Sequence, residues 1–466
     1  MAQEFDVVVI GSGPAGYVAA IRCAQLGLKT ACVEKRMELG GTCLNVGCIP
    51  SKTLLHSTEL FYKIKKDGAK LGIFTDGLSM QFSKMMERKK EVVSTLGEGI
   101  KGLFKKNKVT LFTGSASFTS SHSISISQGP TSEVVSGKNF IIATGSEPTP
   151  LPFLPFDERK IVSSTGALSL PFVPEKLVVV GAGVIGVELG SVYARLGCQV
   201  TFVEFLDKIC PTLDASISKA FQEILIKQGM QFHLSSKVTG IDLSEKNALV
   251  KVLKSDGSQL NLDADVVLVS VGRRPFTQNL SLDKAGIELS PKGQVPIDGR
   301  FRTKIPHIYA IGDIVDGPML AHKASEEGVT VAEIIAGLSP HLDYVSIPNV
   351  VYTHPEVASV GLTEEEALQK GFTIKTGTYF FRSNSRGKCT MEEDGFVKVI
   401  ADEKSDKLLG VHILGAHASE MIAIAVLAFE KRMTSLDLAN ICYPHPTLSE
   451  AIKEAALSIH KKAIHK

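Results

Sequence analysis

Two pairs of side chains in this sequence have the residue types and the spacing that redox and acid–base chemistry require. Cys43 and Cys48 lie close together in the glycine-rich segment GGTCLNVGCIPSK. Neighbouring thiols can exchange electrons by forming and breaking a disulfide. His445 lies in the segment HPTLSE, which ends at Glu450, and histidine is the side chain most often used as a general base. These four residues form the candidate catalytic set.

The cysteine pair carries a geometric requirement. Five residues of an ideal helix rise about 7.5 Å, whereas a disulfide needs Cα atoms within roughly 4.4–6.8 Å of each other. A bridge from Cys43 to Cys48 therefore requires a distorted segment, and Gly47 permits one. Two buried structural cysteines remain the alternative, but the close spacing and the flanking glycines favour a redox pair. For His445, a structural or solvated histidine remains the alternative.

A repeated βαβ pattern supplies elements that could position this chemistry. Residues 7–34 and 177–204 align without a gap at an offset of 170. Each copy has an apolar strand, a Gly-x-Gly-x-x-Gly turn, an amphipathic helix and a second strand ending in glutamate, the pattern of a dinucleotide-binding unit. The fingerprint glycines are Gly11, Gly13 and Gly16 in the first copy and Gly181, Gly183 and Gly186 in the second.

The acidic residue of each copy predicts how a dinucleotide would be held. Glu34 and Glu204 lie 23 positions after the first glycine of their copy, where a ribose-binding carboxylate is expected. Glu204 would repel a 2′-phosphate, and residues 205–207 supply no arginine to hold one. The second site is therefore predicted to bind NAD rather than NADP, whereas the glycines alone leave the first dinucleotide open.

Composition excludes several classes of protein. The 466 residues carry 51 basic and 49 acidic side chains, for a net charge of +2, which argues against a dedicated nucleic-acid-binding protein. Eight sparse cysteines indicate a reducing compartment rather than a disulfide-rich secreted scaffold. The sequence predicts no membrane insertion and no metal site. With no leader recognised, we expect a cytoplasmic protein, or a mitochondrial matrix protein if this is a processed eukaryotic form.

Chain organisation predicts an α/β protein with two Rossmann-like dinucleotide-binding domains and a C-terminal α+β domain. The first domain is expected over 1–149 and the second over 150–275, separated by the proline-rich run at 148–152. Residues 276–345 form a central segment, and 346–466 form the C-terminal domain. Helices are expected near 51–66, 80–106, 419–431 and 448–459.

Longer motifs resemble one family, the flavin-dependent pyridine nucleotide–disulfide oxidoreductases. Its redox signature matches Gly40–Lys52, and further motifs match YAIGDI, PMLAHKA, VVYTHPEVASVG and HPTLSEA, so that the resemblance runs from Phe5 to the C-terminus. Val184 stands where glutathione reductases often have an aromatic gate. This favours the branch that reoxidises dihydrolipoyl groups of 2-oxoacid dehydrogenase complexes and the glycine cleavage system.

The resemblance implies FAD as the first dinucleotide and NAD as the second. It places these residues at FAD: Gly11, Gly13, Gly16, Glu34, Lys35, Gly41, Thr42, Lys52, Ala116, Thr144, Gly145, Ser146, Asp313, Met319, Leu320, Ala321 and His322. It places these residues at NAD: Gly181, Gly183, Val184, Ile185, Gly186, Glu188, Glu204, Val238 and Gly272. Lys52 would pair with Glu188, and Ala116 replaces a glycine common in relatives, at a backbone contact.

The resemblance also assigns catalytic roles and partners. Cys43 would be the sulfur that exchanges with substrate, Cys48 would lie nearer the flavin, and His445 with Glu450 would be the base. The family forms homodimers through the C-terminal domain, in which this histidine reaches the disulfide of the other subunit. Lipoyl domains and the acyltransferase core of the 2-oxoacid dehydrogenase complexes would be its partners. The alternatives are another FAD-dependent disulfide reductase, similar to glutathione reductase, or mainly a binding subunit of a multienzyme complex.

Overall fold

The structure is a computed structural model that describes residues 3–465. The strands of this part of the chain are β1 (Gln3–Ile10), β2 (Thr30–Glu34), β3 (Thr110–Thr113), β4 (Ser115–Ser120), β5 (Ser123–Gln128), β6 (Thr131–Ile142), β7 (Ser146–Pro148), β8 (Ile161–Val162), β9 (Lys176–Val180), β10 (Gln199–Val203), β11 (Gln231–His233), β12 (Ser236–Leu243), β13 (Ala248–Lys254), β14 (Gln259–Ala264), β15 (Val266–Val269), β16 (Arg273–Pro275), β17 (Ile308–Ala310), β18 (Asn349–Val351), β19 (Glu356–Gly361), β20 (Ile374–Phe380), β21 (Phe396–Asp402) and β22 (Leu408–Gly415).

The α-helices vary from a single turn to 26 residues. They are α1 (Pro14–Gln25), α2 (Gly41–Val46), α3 (Cys48–Asp67), α4 (Phe82–Asn107), α5 (Ser164–Ala167), α6 (Val184–Arg195), α7 (Ala215–Lys227), α8 (Ala321–Ile335), α9 (Glu364–Gln369), α10 (Ser385–Thr390), α11 (Ala418–Glu430), α12 (Ser435–Asn440) and α13 (Glu450–Ile459). Within residues 3–465, no helix combines the length and the hydropathy needed to cross a membrane.

The chain divides into two compact units. The first unit comprises residues 3–54, 81–149 and 272–342. The second comprises residues 55–80, 150–271 and 343–465. Most of the central segment predicted at 276–345 thus groups with the N-terminal part of the chain. The boundaries of the four predicted segments themselves stay predictions.

A seven-stranded sheet forms the centre of the first unit, in the order β3-β2-β1-β6-β5-β4, with β17 also paired to β6. Strand β1 is parallel to both β2 and β6, and Val9 lies opposite Cys32 on one side and Ile141 on the other. Val8 packs into one apolar cluster and Val7 with Val9 into another. Because both faces of β1 are buried, its sequence lacks the apolar–polar alternation of a half-exposed strand.

The second unit contains the second copy of the repeat and the C-terminal elements. Strands β9 and β10 are parallel neighbours in the sheet β11-β10-β9-β15-β8, and α6 connects them, as α1 connects β1 and β2. The predicted duplication of one βαβ unit is therefore confirmed. An antiparallel sheet, β18-β19-β22-β21-β20, packs against apolar residues of α11 and α13, which gives the predicted C-terminal α+β arrangement.

Candidate active site

The cysteine segment is built as two helices interrupted by one glycine. Helix α2 ends at Val46 and α3 begins at Cys48, with Gly47 between them. A Cβ atom at Gly47 would lie only 2.9 Å from the carbonyl oxygen of Thr42, so this close approach excludes any larger residue. The predicted distortion between the two cysteines is confirmed, because the helix is interrupted at Gly47, whose φ of −143° and ψ of −114° are not helical.

Both cysteines are thiols in this structure, and both are partly buried. A hydrogen bond to Cys48, followed by burial and the charge of Cys48, raises the pKa of the Cys43 thiol far above its ordinary value, while the positive charge of Lys52 opposes the shift. Cys43 is therefore held protonated when Cys48 is ionised. The disulfide form stays a prediction.

The fingerprint glycines divide by physical role in the same way in both copies. Gly11 and Gly181 have φ values of +101° and +96°, which favour glycine. A Cβ at Gly16 or Gly186 would lie 1.8 Å or 2.4 Å from the carbonyl oxygen of the first glycine, so the third glycine lets the helix pack on the strand.

The second glycine of each fingerprint is not explained by the chain's own packing. Gly13 and Gly183 have ordinary negative φ values of −66° and −74°. A Cβ at Gly183 would meet no atom of the described chain within 4 Å, and one at Gly13 would meet only Gly41 Cα, at 3.9 Å. The space that these glycines leave open fits a bound pyrophosphate, which must approach the backbone there.

The helix N-termini at these turns are suited to anions. Gly13 and Gly183 are the N-cap residues of α1 and α6, and neither helix has a side-chain cap hydrogen bond. Glycine has no side chain that could cap a helix, so the first amides of α1 and α6 stay available at these turns. Uncapped amides at the positive end of a helix dipole can bind phosphate oxygens. Both sites therefore fit a dinucleotide.

Each acidic residue of the repeat is buried and bonded to its own glycine turn. Glu34 accepts hydrogen bonds from the Ser12 amide at 2.9 Å and from the Ser12 hydroxyl at 2.6 Å. Glu204 accepts from the Ala182 amide at 2.6 Å. In both copies the carboxylate thus fixes the end of the second strand against the turn. Its contact with a ribose stays a prediction.

The other predicted FAD residues all lie in the first unit. Gly41 and Thr42 begin α2, next to Gly13, and Lys52 lies on the first turns of α3. The remaining positions are in β4 (Ala116), in the turn from β6 into β7 (Thr144, Gly145, Ser146), at the end of β2 (Lys35), in a 3₁₀ turn (Asp313) and at the start of α8 (Met319, Leu320, Ala321, His322). The structure thus gathers segments from distant parts of the sequence into one unit.

Arg273 is a residue that sequence reasoning missed. Its guanidinium donates to the Ser146 hydroxyl at 2.8 Å and to the Ser146 carbonyl at 2.7 Å, while the Ser146 hydroxyl donates to Asp313. Burial lowers the pKa of Arg273, and the negative charges of Asp313 and Cys48 oppose the shift. A partly buried cation thus acts on both the predicted FAD-binding aspartate and one cysteine of the candidate pair. The sequence placed it only near the end of the predicted second domain.

The predicted NAD residues lie in the second unit, with one exception. Val184 and Ile185 form the first turn of α6, and Val238 is buried in β12. Glu188 is 3% exposed and accepts a hydrogen bond from the Tyr352 amide at 2.9 Å. The exception is Gly272, which lies in the first unit; its role at NAD stays a prediction.

The second pair of candidate catalytic residues, His445 and Glu450, lies just before and at the start of α13. His445 Nδ1 is 2.9 Å from Glu450 Oε1, and Glu450 Oε2 accepts from the Thr447 amide at 2.8 Å. Burial raises the pKa of Glu450, but these two hydrogen bonds outweigh it and the pKa lies below its usual value. The carboxylate is therefore ionised and holds Nδ1, which leaves Nε2 of an exposed imidazole for proton transfer.

Comparisons with known proteins agree with this assembly. A family model described as pyridine nucleotide-disulphide oxidoreductase matches residues 5–328, and the dimerisation domain of the same family matches residues 347–456. The mitochondrial dihydrolipoyl dehydrogenase of Pisum sativum is 51% identical over 99% of this chain and 93% of the pea protein. The leghemoglobin reductase of Glycine max is 51% identical over 99% of this chain and 88% of the soybean protein.

A solved structure shares the fold over nearly the whole chain. LpdA from Mycobacterium tuberculosis superposes with a TM-score of 0.90 at 26% identity, over 98% of this chain and 99% of that protein. The two family models together span both units, and the relatives match almost end to end. The chain therefore belongs to the pyridine nucleotide-disulphide oxidoreductase family.

Proposed function

We propose that this protein is a dihydrolipoyl dehydrogenase, which oxidises protein-bound dihydrolipoyl groups and reduces NAD⁺. The observation that carries the proposal is the cysteine pair at the break between α2 and α3, in contact and with Cys43 held protonated. Relatives named for this activity are about half identical over nearly the full chain. The two uncapped glycine turns support FAD and NAD as its cofactors.

The reaction begins with two thiol–disulfide exchanges in the oxidised enzyme. His445, oriented by Glu450, accepts a proton from one dihydrolipoyl thiol. The resulting thiolate attacks Cys43, and the Cys43–Cys48 bond breaks with its electron pair on Cys48. The second lipoyl thiol then displaces Cys43, which leaves oxidised lipoyl and a reduced pair. Cys43 takes up a proton and Cys48 carries the charge, which Lys52 and Arg273 stabilise.

The bound FAD supplies electron transfer from the reduced cysteines to NAD⁺. We propose that the FAD pyrophosphate lies on the turn at Gly13 and that Asp313 and the 144–146 turn hold its central part. The corresponding turn at Gly183 would hold the NAD pyrophosphate, and Glu204 would exclude NADP.

We further propose that the catalytic site is shared between two subunits. The match to a dimerisation domain supports a homodimer, and the exposed imidazole of His445 supports a function outside its own packing. Lipoyl domains and the acyltransferase core of a 2-oxoacid dehydrogenase complex are the proposed partners. The compartment stays a prediction of the sequence, and the relative from Pisum sativum is a mitochondrial form.

Spectroscopy with substrate tests the proposed activity. The purified protein should be a yellow flavoprotein that dihydrolipoamide reduces and that then reduces NAD⁺ but not NADP⁺. Cys48→Ser should retain FAD and lose dihydrolipoamide turnover, whereas Cys389→Ser, a change at an exposed cysteine, should retain both. A colourless protein, or turnover in Cys48→Ser, would refute the assignment.

Hybrid dimers test the shared site. Cys48→Ser chains and His445→Gln chains should each be inactive alone. A hybrid of the two contains one intact site only if cysteine and histidine act across subunits, so mixing should restore up to half of the activity per hybrid dimer. Hybrids that form but remain inactive would show that each site belongs to a single chain.

A further inference from the structure

A buried ion pair holds the turn that precedes the proposed FAD-binding aspartate. Lys323 Nζ and Glu327 Oε1 are 2.9 Å apart on consecutive turns of α8, and both side chains are 0% exposed. Lys323 Nζ also donates to the Gly312 carbonyl at 3.1 Å, and the Gly312 amide donates to Glu327 Oε2 at 2.7 Å. Both polar groups of one backbone residue are therefore bound to the two members of the pair.

The residue held in this way has little freedom of its own. Gly312 has a φ of +79°, and a Cβ there would lie 3.3 Å from Ala15 Cβ and 3.6 Å from Ala324 Cβ. It begins the short 3₁₀ turn Gly312–Ile314, one residue after the end of the buried strand β17. Because Asp313 follows Gly312 directly, the backbone orientation at Gly312 sets the position of Asp313.

The side chain of Asp313 is held by a separate hydrogen bond, from Ser146. Its carboxylate accepts from the Ser146 hydroxyl, which Arg273 binds in turn. Helix α8 packs closely on α1 at Gly328, where an added Cβ would lie only 2.6 Å from the Ala15 carbonyl oxygen. The turn bearing Asp313 is thus held in register with α1, the helix at the proposed pyrophosphate site.

Stability alone does not account for this pair. Lys323 and Glu327 belong to the same helix, so the bond between them joins no separate elements. Burying two charges opposes folding, and apolar side chains of similar volume often serve stability equally well. What apolar side chains cannot do is bind the amide and carbonyl of Gly312, which would then lack these partners in the interior.

We propose that Lys323 and Glu327 are positioning residues for FAD, acting through the backbone of Gly312 on the orientation of Asp313. The inference rests on the FAD site of the proposed function and adds two residues to it. Neither residue is assigned to touch the cofactor. Their effect is to keep the aspartate in the binding-competent orientation before FAD arrives, so that binding does not have to order the turn.

FAD release from the holoenzyme tests the proposal. The double variant Lys323→Met/Glu327→Leu removes both charges and leaves no uncompensated ion. Its FAD dissociation constant, from the fluorescence of flavin released on dilution, should rise about 10-fold or more. Glu327→Gln retains an acceptor for the Gly312 amide and should show a smaller rise. Glu326→Gln makes the same change at the exposed neighbouring position and should match the wild type.

Urea unfolding separates positioning from general stabilisation. The FAD-free double variant should unfold at a lower urea concentration than the FAD-free wild type, because the Gly312 amide and carbonyl lose these partners, and its FAD dissociation constant should rise as well. A lower midpoint together with an unchanged FAD dissociation constant would overturn the proposal in favour of a structural role. If the double variant does not fold, equal FAD affinity in Glu327→Gln and Glu326→Gln would overturn it. Wild-type protein that binds no FAD would instead refute the proposed function.

Discussion

Replacing Gly183 by alanine should impair NAD⁺ binding while leaving the fold intact. The structure places no atom of the described chain within 4 Å of the added Cβ, and φ is −74°. Alanine gains roughly 0.4–1 kcal/mol by restricting the unfolded chain. It loses about 0.5–1 kcal/mol at an N-cap, where glycine is preferred. The two effects nearly cancel, so the free energy of unfolding should change by less than about 1 kcal/mol.

The same methyl group occupies space that the NAD pyrophosphate needs. Losing one charge-assisted hydrogen bond between a phosphate oxygen and the turn costs about 1.5–3 kcal/mol. This corresponds to a rise in the KM for NAD⁺ of roughly 10- to 100-fold. Because the second site takes no part in substrate oxidation, reduction of the holoenzyme by dihydrolipoamide without NAD⁺ should proceed as in the wild type.

Gly186→Ala is the matched control, since it adds the same atom to the same helix. There the Cβ would lie 2.4 Å from the Gly181 carbonyl oxygen and 2.6 Å from the Ser270 hydroxyl. Overpacking of this kind costs about 1–3 kcal/mol, so this variant should lose stability in urea unfolding. An unchanged KM for NAD⁺ in Gly183→Ala, or a stability loss as large as that of Gly186→Ala, would refute the reasoning.

Three further predictions concern stability, pH and catalysis. Lys398→Met should destabilise the protein by about 3–5 kcal/mol in urea unfolding, because it removes the ammonium partner of the fully buried Asp214 carboxylate. Adding Asp214→Asn should restore part of the lost stability. If the double variant restores none of it, the cause is not electrostatic. Burial lowers the pKa of His354 from 6.5 to about 4 despite the neighbouring Glu59 and Glu392. As the pH falls, the unfolded chain therefore binds a proton at His354 before the folded protein does. The free energy of unfolding should decrease between about pH 6.5 and pH 4, by up to about 3 kcal/mol. In His354→Asn this pH dependence should shrink, and an unchanged dependence of stability on pH would count against a buried neutral imidazole. Glu450→Gln should lower dihydrolipoamide turnover with FAD retained, because a neutral amide holds the protonated imidazole less well; unaltered turnover across the pH range would exclude this role.

Sequence reasoning reached far into the fold because its strongest signal was local and repeated. Two copies of one βαβ pattern predicted two parallel β-strand pairs, and β1–β2 and β9–β10 have that pairing. The distortion at Gly47 was also predictable, since it follows from helix rise and disulfide reach alone. Long-range pairings were not readable in this way. The contact of β17 with β6 joins residues more than 160 positions apart, and no local pattern encodes it.

The individual site residues show the same division. The glycines, the two acidic residues and the cysteines are identified by spacing along the chain. Arg273 was missed because its importance comes from neighbours distant in sequence, Ser146 and Asp313. The Lys323–Glu327 pair was missed for a related reason: on a helix, an i,i+4 lysine–glutamate pair ordinarily indicates a solvated surface, and only the fold buries this one.

By itself, the sequence determined the chemistry available to this protein: a thiol pair, a histidine–glutamate pair and two dinucleotide turns. Each depends on residue type and short spacing, which the chain fixes before it folds. Only the tertiary structure decided the electrostatic environment of those groups. Burial and hydrogen bonding to Cys48 raise the pKa of the Cys43 thiol. The same packing places Lys323 and Glu327 in hydrogen bonds with the backbone of Gly312. Such terms depend on which distant segments exclude water from a group, and that is a property of the packed chain alone.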